Sequence, residues 1–187
     1  NEVQDRLASI VRTAMNASTL TRRLIELSHD LTAVDIERPG DPVEEIALNP
    51  LIETILEEEK GRYGNRVAWT TRYASVPPLR GKSEALRTMF RLLFQNAVES
   101  FKNGAGAIEV STHTGARNWI IVEIRDNRRG MEPAILDRTI EPFFTTKLNR
   151  LGAGLTIARG IWRRHHGSLT VASNPGEGTT IRLSAPS

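Results

Sequence analysis

Three short segments in the second half of the chain combine residue types suited to chemistry on an anion. Asp126-Asn127-Arg128-Arg129-Gly130-Met131 follows an apolar run from Trp119 to Ile124, so a carboxylate stands where a strand gives way to a loop. Glu141-Pro142-Phe143-Phe144-Thr145-Thr146-Lys147 sets two hydroxyls beside a cation. Gly152-Ala153-Gly154-Leu155 opens what reads as a helix. A strand-end carboxylate can accept a hydrogen bond from an exocyclic amine, and Gly130 lets the backbone approach a ligand closely. Thr145, Thr146 and Lys147 are groups of the kind that bind phosphate. A helix that begins at a glycine pair offers N–H groups to an anion. Upstream, Asn96 stands amid apolar residues in Leu92-Leu93-Phe94-Gln95-Asn96-Ala97, and its carbonyl oxygen suits a hard cation such as Mg²⁺. Each residue alone has an ordinary explanation, since Asn often joins a hydrogen-bond network and a strand-end Asp often forms a turn. In this order they describe a nucleotide pocket with a flap over the phosphates.

These residues must be held by regular elements. Val3, Leu7, Ile10, Ala14, Ala17, Leu20, Leu24, Leu27 and Leu31 recur at steps of three and four, which predicts one long helix over 1–33. Its apolar stripe calls for a partner helix or for the surface of its own domain. Pro39-Gly40-Asp41-Pro42 is turn chemistry and marks a domain boundary. The expected organisation is a helical segment over 1–38 and a second unit over 39–187. Within that unit Val43–Leu48 reads as a strand. Asn49 reads as an N-cap with Pro50 at the first helical position, and the helix runs to about Tyr63. Val67–Tyr73 alternates as a strand, and Pro77-Pro78 is a break. Ser83 is placed as the cap of a helix with Leu86, Met89, Phe90, Leu93, Phe94, Ala97 and Val98 on its inner face, ended by Asn103-Gly104. Ala107–Thr112 and Trp119–Ile124 form an antiparallel hairpin, with His113 at its surface turn. Pro133 starts a short helix. Leu155–His166 forms another, closed by Gly167, with His165 and His166 in C-terminal capping roles. Leu169–Ala172 and Thr179–Leu183 form a final hairpin.

Composition removes several function classes. The 187 residues are 39% hydrophobic and 25% charged, as in an ordinary globular protein, and no run approaches the roughly 18 apolar residues of a membrane span. With no cysteine there are no disulfides and no thiolate metal sites. The net charge is +3 and the basic residues are scattered, so nucleic-acid binding gains little support despite a pI near 9.7.

From about residue 40 to 184 the chain resembles the catalytic ATP-binding domain of bacterial sensor histidine kinases, whose fold is shared with gyrase, a heat-shock chaperone and mismatch-repair ATPases. Glu141 to Lys147 resembles the phenylalanine box of the nitrogen-regulation-like kinases, and Asn96-Ala97 the asparagine box. Asp126-Asn127 with Gly130 resembles the first glycine box. Gly152-Ala153-Gly154-Leu155, followed by Ile157 and Arg159-Gly160-Ile161, resembles the second. His166-Gly167 and Pro175-Gly176-Glu177-Gly178-Thr179-Thr180 resemble the closing hairpin. The resemblance implies an α+β, two-layer sandwich of the Bergerat type, with about five strands in a mixed sheet and three helices, preceded by the long helix. It implies ATP and Mg²⁺ as cofactors, with Asn96 as the metal ligand, Asp126 on the adenine amine, and a lid from Thr145 to Gly154. Phe144, Thr145, Thr146, Lys147, Arg150, Gly152, Gly154, Leu155 and Thr179 join Asn96, Asp126 and Gly130 as nucleotide-binding residues. Asn96 and Lys147 carry the catalytic role through charge neutralisation. The implied partners are a response-regulator receiver domain and a second copy joined through the N-terminal helix, with no nucleic acid and no membrane contact by this segment. The implied location is the cytoplasm, with any membrane anchor lying outside this chain.

The pattern departs from the family at four positions. Arg128 stands where the family has glycine, and an alignment backwards from Arg159-Gly160-Ile161 puts Arg150 at another glycine position. A rival alignment starts that box at Gly152 and loses its last glycine at Thr156. Leu92 replaces a polar residue four positions before Asn96, and Glu99 stands where many members carry a base. These changes motivate an alternative, a degenerate domain with weakened ATP binding that acts as a binding or scaffold module. A gyrase-type ATPase ranks lower, because it needs a general-base Glu where Leu92 stands. Ser28-His29-Asp30-Leu31 resembles a phosphoacceptor box, yet no full second helix follows it. His29 is therefore expected to be a surface residue near a helix end, with the acceptor helix absent from this chain.

Overall fold

The computed structural model describes residues 43–101, 104–127, 129–139 and 154–187. The long helix expected over 1–33 and His29 lie outside them.

Strand β1 (Glu44–Ile46) leads into helix α1 (Leu48–Tyr63). After a 3₁₀ turn come β2 (Val67–Tyr73), β3 (Leu79–Gly81) and helix α2 (Ser83–Glu99). Strands β4 (Gly106–Thr114) and β5 (Ile120–Asp126) follow, then the four-residue helix α3 (Pro133–Leu136), helix α4 (Gly154–Arg164), and strands β6 (Ser168–Asn174) and β7 (Gly178–Ala185). Five strands form one sheet in the order β2-β4-β5-β7-β6, with β2 and β4 parallel and the other pairs antiparallel. β1 and β3 make a separate antiparallel pair. This is the expected two-layer α+β sandwich with a mixed sheet.

The helices lie on one face of the sheet. On α1, Leu48, Leu51, Ile52, Ile55, Leu56 and Glu59 are buried at steps of three and four. On α2 all seven inner-face residues named from the sequence are buried, together with Ala85. Phe90 stacks on Phe94, whose ring meets Trp69 of β2 edge-on at 5.8 Å. On α4, Leu155, Ile157, Ala158, Ile161 and Trp162 are buried, and α4 packs against α2. The opposite sheet face is polar and carries cross-strand ion pairs, Arg72–Glu109 at 3.2 Å and Arg182–Glu123 at 3.6 Å. That one-sided burial is why the strands alternate in hydropathy.

Four local expectations are corrected. Asn49 is not the N-cap of α1, which begins one residue earlier; Ala47 holds the cap position without a side-chain bond. The Asn49 side chain instead donates from Nδ2 to the Ala74 carbonyl at 2.8 Å and accepts at Oδ1 from the Thr112 hydroxyl at 2.8 Å. Partners brought in from β4 and from the residue after β2 replace the local cap. Pro50 is then tolerated because it still falls in the first turn, whose N–H groups have no helical acceptor. Ser83 is likewise the first helical residue, with Lys82 at the cap. Gly167 does not supply the left-handed residue after α4; His166 does, at φ 57°. Gly167 is needed for another reason: a Cβ there would lie 2.3–2.7 Å from the Trp162 ring. His113, expected at a hairpin turn, lies within β4.

Candidate functional site

The sheet register assembles one row that turns polar toward the β6 edge. Trp69, Ile108, Asp126, Thr179 and Ser173 are paired neighbours across all five strands. The next row on the same face, Thr71, Val110, Ile124, Ile181 and Val171, is largely apolar. Antiparallel partners share a face, so the carboxylate of Asp126 and the hydroxyls of Thr179 and Ser173 lie side by side, under the helices. Asp126 is the last residue of β5 and is 5% exposed. A carboxylate in that position needs polar partners, from the protein or from a ligand.

The loop after Asp126 is fixed at both sides. Asn127 extends the ladder with β4: its N–H donates to the Ala107 carbonyl at 3.2 Å, and its Oδ1 accepts from the Ala107 N–H at 2.9 Å. The Arg129 carbonyl accepts from the Gly176 N–H at 2.7 Å, and the Met131 N–H donates to Ser173 Oγ at 2.9 Å. Between them Gly130 has φ 59°, and a Cβ there would sit 1.8 Å from the Asn174 carbonyl oxygen. Both the backbone conformation and the space require glycine. The sequence offered Gly130 for close approach to a ligand; what its backbone presses on is the β6–β7 turn of the chain itself. Thr139, buried after α3, donates to Met131 Sδ at 3.1 Å or to the Ile135 carbonyl at 3.0 Å. The glycine loop, α3 and the β6–β7 hairpin therefore form one hydrogen-bonded unit beside Asp126.

Asn96 lies in α2, half-buried between Phe94 and Ala97, both of which are in the core. Leu92, one turn earlier, packs against the core and can supply no proton chemistry. Gly154 begins α4, and no steric contact demands glycine there. Leu155 is 9% exposed and belongs to the hydrophobic core, so its side chain anchors the start of α4. Phe144, Thr145, Thr146, Lys147, Arg150 and Gly152, together with Arg128, lie outside the described residues. The structure thus brings together Asp126, Gly130 and Thr179, while Asn96 and Gly154 stand on two helices packed against each other. Ser173 and Thr139 are the parts that reading the sequence left out, while Asn127 was read only as part of the loop motif. Ser173 had a signal: Leu169, Val171 and Ser173 alternate, so a hydroxyl continues an inward-facing apolar series.

Residues 81–187 match the family model described as histidine kinase-, DNA gyrase B- and HSP90-like ATPase. Signal transduction histidine-protein kinase AtoS of Escherichia coli is 28% identical over 145 residues, covering 76% of this chain and 24% of that protein. The chain spans about a quarter of the length of the first curated relatives it matches. Among solved structures, full-length ShkA in complex with AMPPNP superimposes with TM-score 0.72 at 20% identity, over 87% of this chain and 35% of that one. Histidine kinase ThkA in complex with the response regulator protein TrrA gives TM-score 0.68 at 18% identity, over 89% of this chain and 48% of that one. At these identities the structural likeness bears on the fold.

Proposed function

Because the chain belongs to the histidine kinase-, DNA gyrase B- and HSP90-like ATPase family, we propose that it is the ATP-binding catalytic part of a two-component sensor histidine kinase. It moves the γ-phosphoryl group of ATP to a histidine on a dimerisation helix, for relay to a receiver aspartate of a response regulator. The observation that carries the reading is the buried Asp126 beside Thr179, walled by a glycine loop that the fold itself holds in place. A carboxylate and a hydroxyl side by side near the ends of two paired strands suit the amino edge of adenine. The likeness to AtoS in sequence, and to ThkA, solved with a response regulator, supports the signalling role and the receiver-domain partner.

Asn96 fits a magnesium ion. Its carboxamide oxygen is a hard donor on a half-exposed helix position, and Glu99 follows one turn later. Among the described residues no group of three His, Cys, Asp or Glu gathers into a metal cage. A Mg²⁺ ion that arrives with a triphosphate needs only one or two protein oxygens, the rest being phosphate and water. When bound it would neutralise charge on the transferred phosphoryl. Lys147, Thr145, Thr146 and Arg150 are assigned to the triphosphate, Phe144, Gly152 and the backbone of Leu155 to the lid and its hinge, and the start of α4 at Gly154 to a phosphate oxygen. A homodimer through the N-terminal helix and a cytoplasmic location complete the proposal.

Calorimetry of the chain with Mg-ATP tests it. Saturable binding is expected, lost by at least about tenfold in Asp126→Ala, since a charge-assisted hydrogen bond is worth about 1.5–3 kcal/mol. Absence of binding by the unaltered chain would overturn the reading. With labelled ATP, acid-labile phosphate is expected on an added dimerisation hairpin and to be unaffected by His29→Ala.

A further inference from the structure

Ser173 Oγ lies within hydrogen-bonding distance of three groups: the Met131 N–H at 2.9 Å, the Gly178 carbonyl at 2.8 Å and Thr179 Oγ1 at 3.0 Å. A serine hydroxyl has one proton to donate and two lone pairs to accept with. The Met131 N–H can only donate, and the Gly178 carbonyl can only accept. Ser173 therefore gives its proton to Gly178 and receives one from Met131. The third contact closes only if Thr179 is the donor. All of Ser173's capacity is then used, and the proton of Thr179 is held on the side away from Asp126, because Ser173 and Asp126 flank Thr179 on opposite neighbouring strands. Toward Asp126, Thr179 has only lone pairs to offer.

We infer that Ser173 is a specificity-determining positioning residue: by holding the Thr179 proton it turns the Asp126–Thr179 edge into a pair of acceptors, which favours a purine with an exocyclic amine over one with a carbonyl. The inference rests on the nucleotide reading of this site and adds the residue that sets its hydrogen-bond polarity. Ser173 has a second hold on the site, since the Met131 N–H it accepts follows Gly130 directly. Removing the hydroxyl frees Thr179 to rotate and donate, and leaves the Met131 N–H without this acceptor. A pocket built to match donors rejects the mismatched base because a group would be left unpaired; a rotating Thr179 relaxes that rejection.

The test is the ratio of affinities of the 187-residue chain for Mg-ATP and Mg-ITP, whose base carries a 6-oxo group and an N1 proton in place of the 6-amino group. The unaltered chain prefers ATP. In Ser173→Ala the ATP:ITP ratio falls about tenfold, the discrimination expected of roughly one hydrogen bond. Ser173→Thr, which keeps the hydroxyl, preserves it. A Ser173→Ala chain that weakens both nucleotides equally, or neither, overturns the inference, because a merely structural role moves affinity without moving the ratio. Should the alanine variant fail to fold, Ser173→Cys asks the same question with a weaker donor and acceptor, and an unchanged ratio is again the contrary result. If the unaltered chain binds neither nucleotide, the nucleotide reading itself falls.

Discussion

Glu59 occupies a place where α1 would be expected to bury a hydrocarbon. It follows Leu51, Ile52, Ile55 and Leu56 on the same stripe, and its side chain is 0% exposed. Burial raises its pKa above 4.5, and Arg62 and Arg91 only partly counter this, with Arg62 Nη1 3.1 Å from Oε1. The neighbouring Glu58 is held below its ordinary range, first by the hydrogen bond from Arg91 at 2.6 Å, which draws on the same arginine. For Glu59 the folded chain binds its proton more tightly than the unfolded chain. Stability therefore falls as pH rises from 4.5 through the folded value, and above that window the ionised group is a liability. Glu59→Gln is expected to raise the melting temperature at pH 7–8 by about 2–6 °C, the shift that roughly 1 kcal/mol gives in a domain of this size. Near pH 4 the two chains should melt together. A lower melting temperature for Glu59→Gln at pH 7 would mean that the ion pair with Arg62 outweighs the burial cost. Tyr73 shows the same physics in a neutral group: burial, then its hydrogen bond to Glu53 at 2.8 Å, keeps the phenol protonated far above its ordinary pKa.

At the scale of elements, the helix carrying Asn96 and the helix that begins at Gly154 are tied by one imidazole. His165, expected only to cap α4, is buried, with Nδ1 2.9 Å from the Ile161 carbonyl and Nε2 accepting from the Lys82 N–H at 3.3 Å. The pair of bonds requires the neutral ring with its proton on Nδ1. Trp162 stacks alongside at 6.3 Å and donates to the Ser184 carbonyl at 3.0 Å. The ring also accounts for Gly81, where a Cβ would lie 2.2 Å from Cδ2 and Nε2. His165→Ala should cost about 1–3 kcal/mol, the penalty for leaving the partly buried Lys82 N–H without this partner. Gly81→Ala should also destabilise, but far less once His165 is alanine, because the clash is with the ring. Chemical denaturation of the single and double variants measures this coupling, and additive costs would refute the steric link.

At the scale of the molecule, the described core stands on its own elements: α1, α2 and α4 bury their apolar faces on one side of a five-stranded sheet whose other side is polar. The apolar stripe from Val3 to Leu31 lies outside the described residues, and we propose that it pairs with a second copy. Sedimentation should find the full chain as a dimer of 20.8 kDa subunits, and residues 43–187 as a folded monomer. A full chain that stays monomeric on concentration would overturn the assignment.

What residue order determined is what depends on near neighbours. The inner face of α2 from Leu86 to Val98 was legible because a helix repeats every few residues, and the β4–β5 and β6–β7 hairpins because alternation and turn residues are local signals. Asp126 and Gly130 were legible as one strand-end loop for a similar reason, being four residues apart in a recognisable motif. β3 was not, since three residues carry too little pattern and its pairing with β1 spans more than thirty positions. Nor was the capping failure of Asn49, whose partners Ala74, just after β2, and Thr112 of β4 arrive only when the sheet closes on α1. The row from Trp69 to Ser173 is a property of register, drawn from five strands of which only β4–β5 and β6–β7 adjoin in the chain. Only the assembled sheet could set Thr179, which the β6–β7 hairpin already places beside Ser173, next to Asp126, because hydrogen-bond polarity is decided by which groups meet in space.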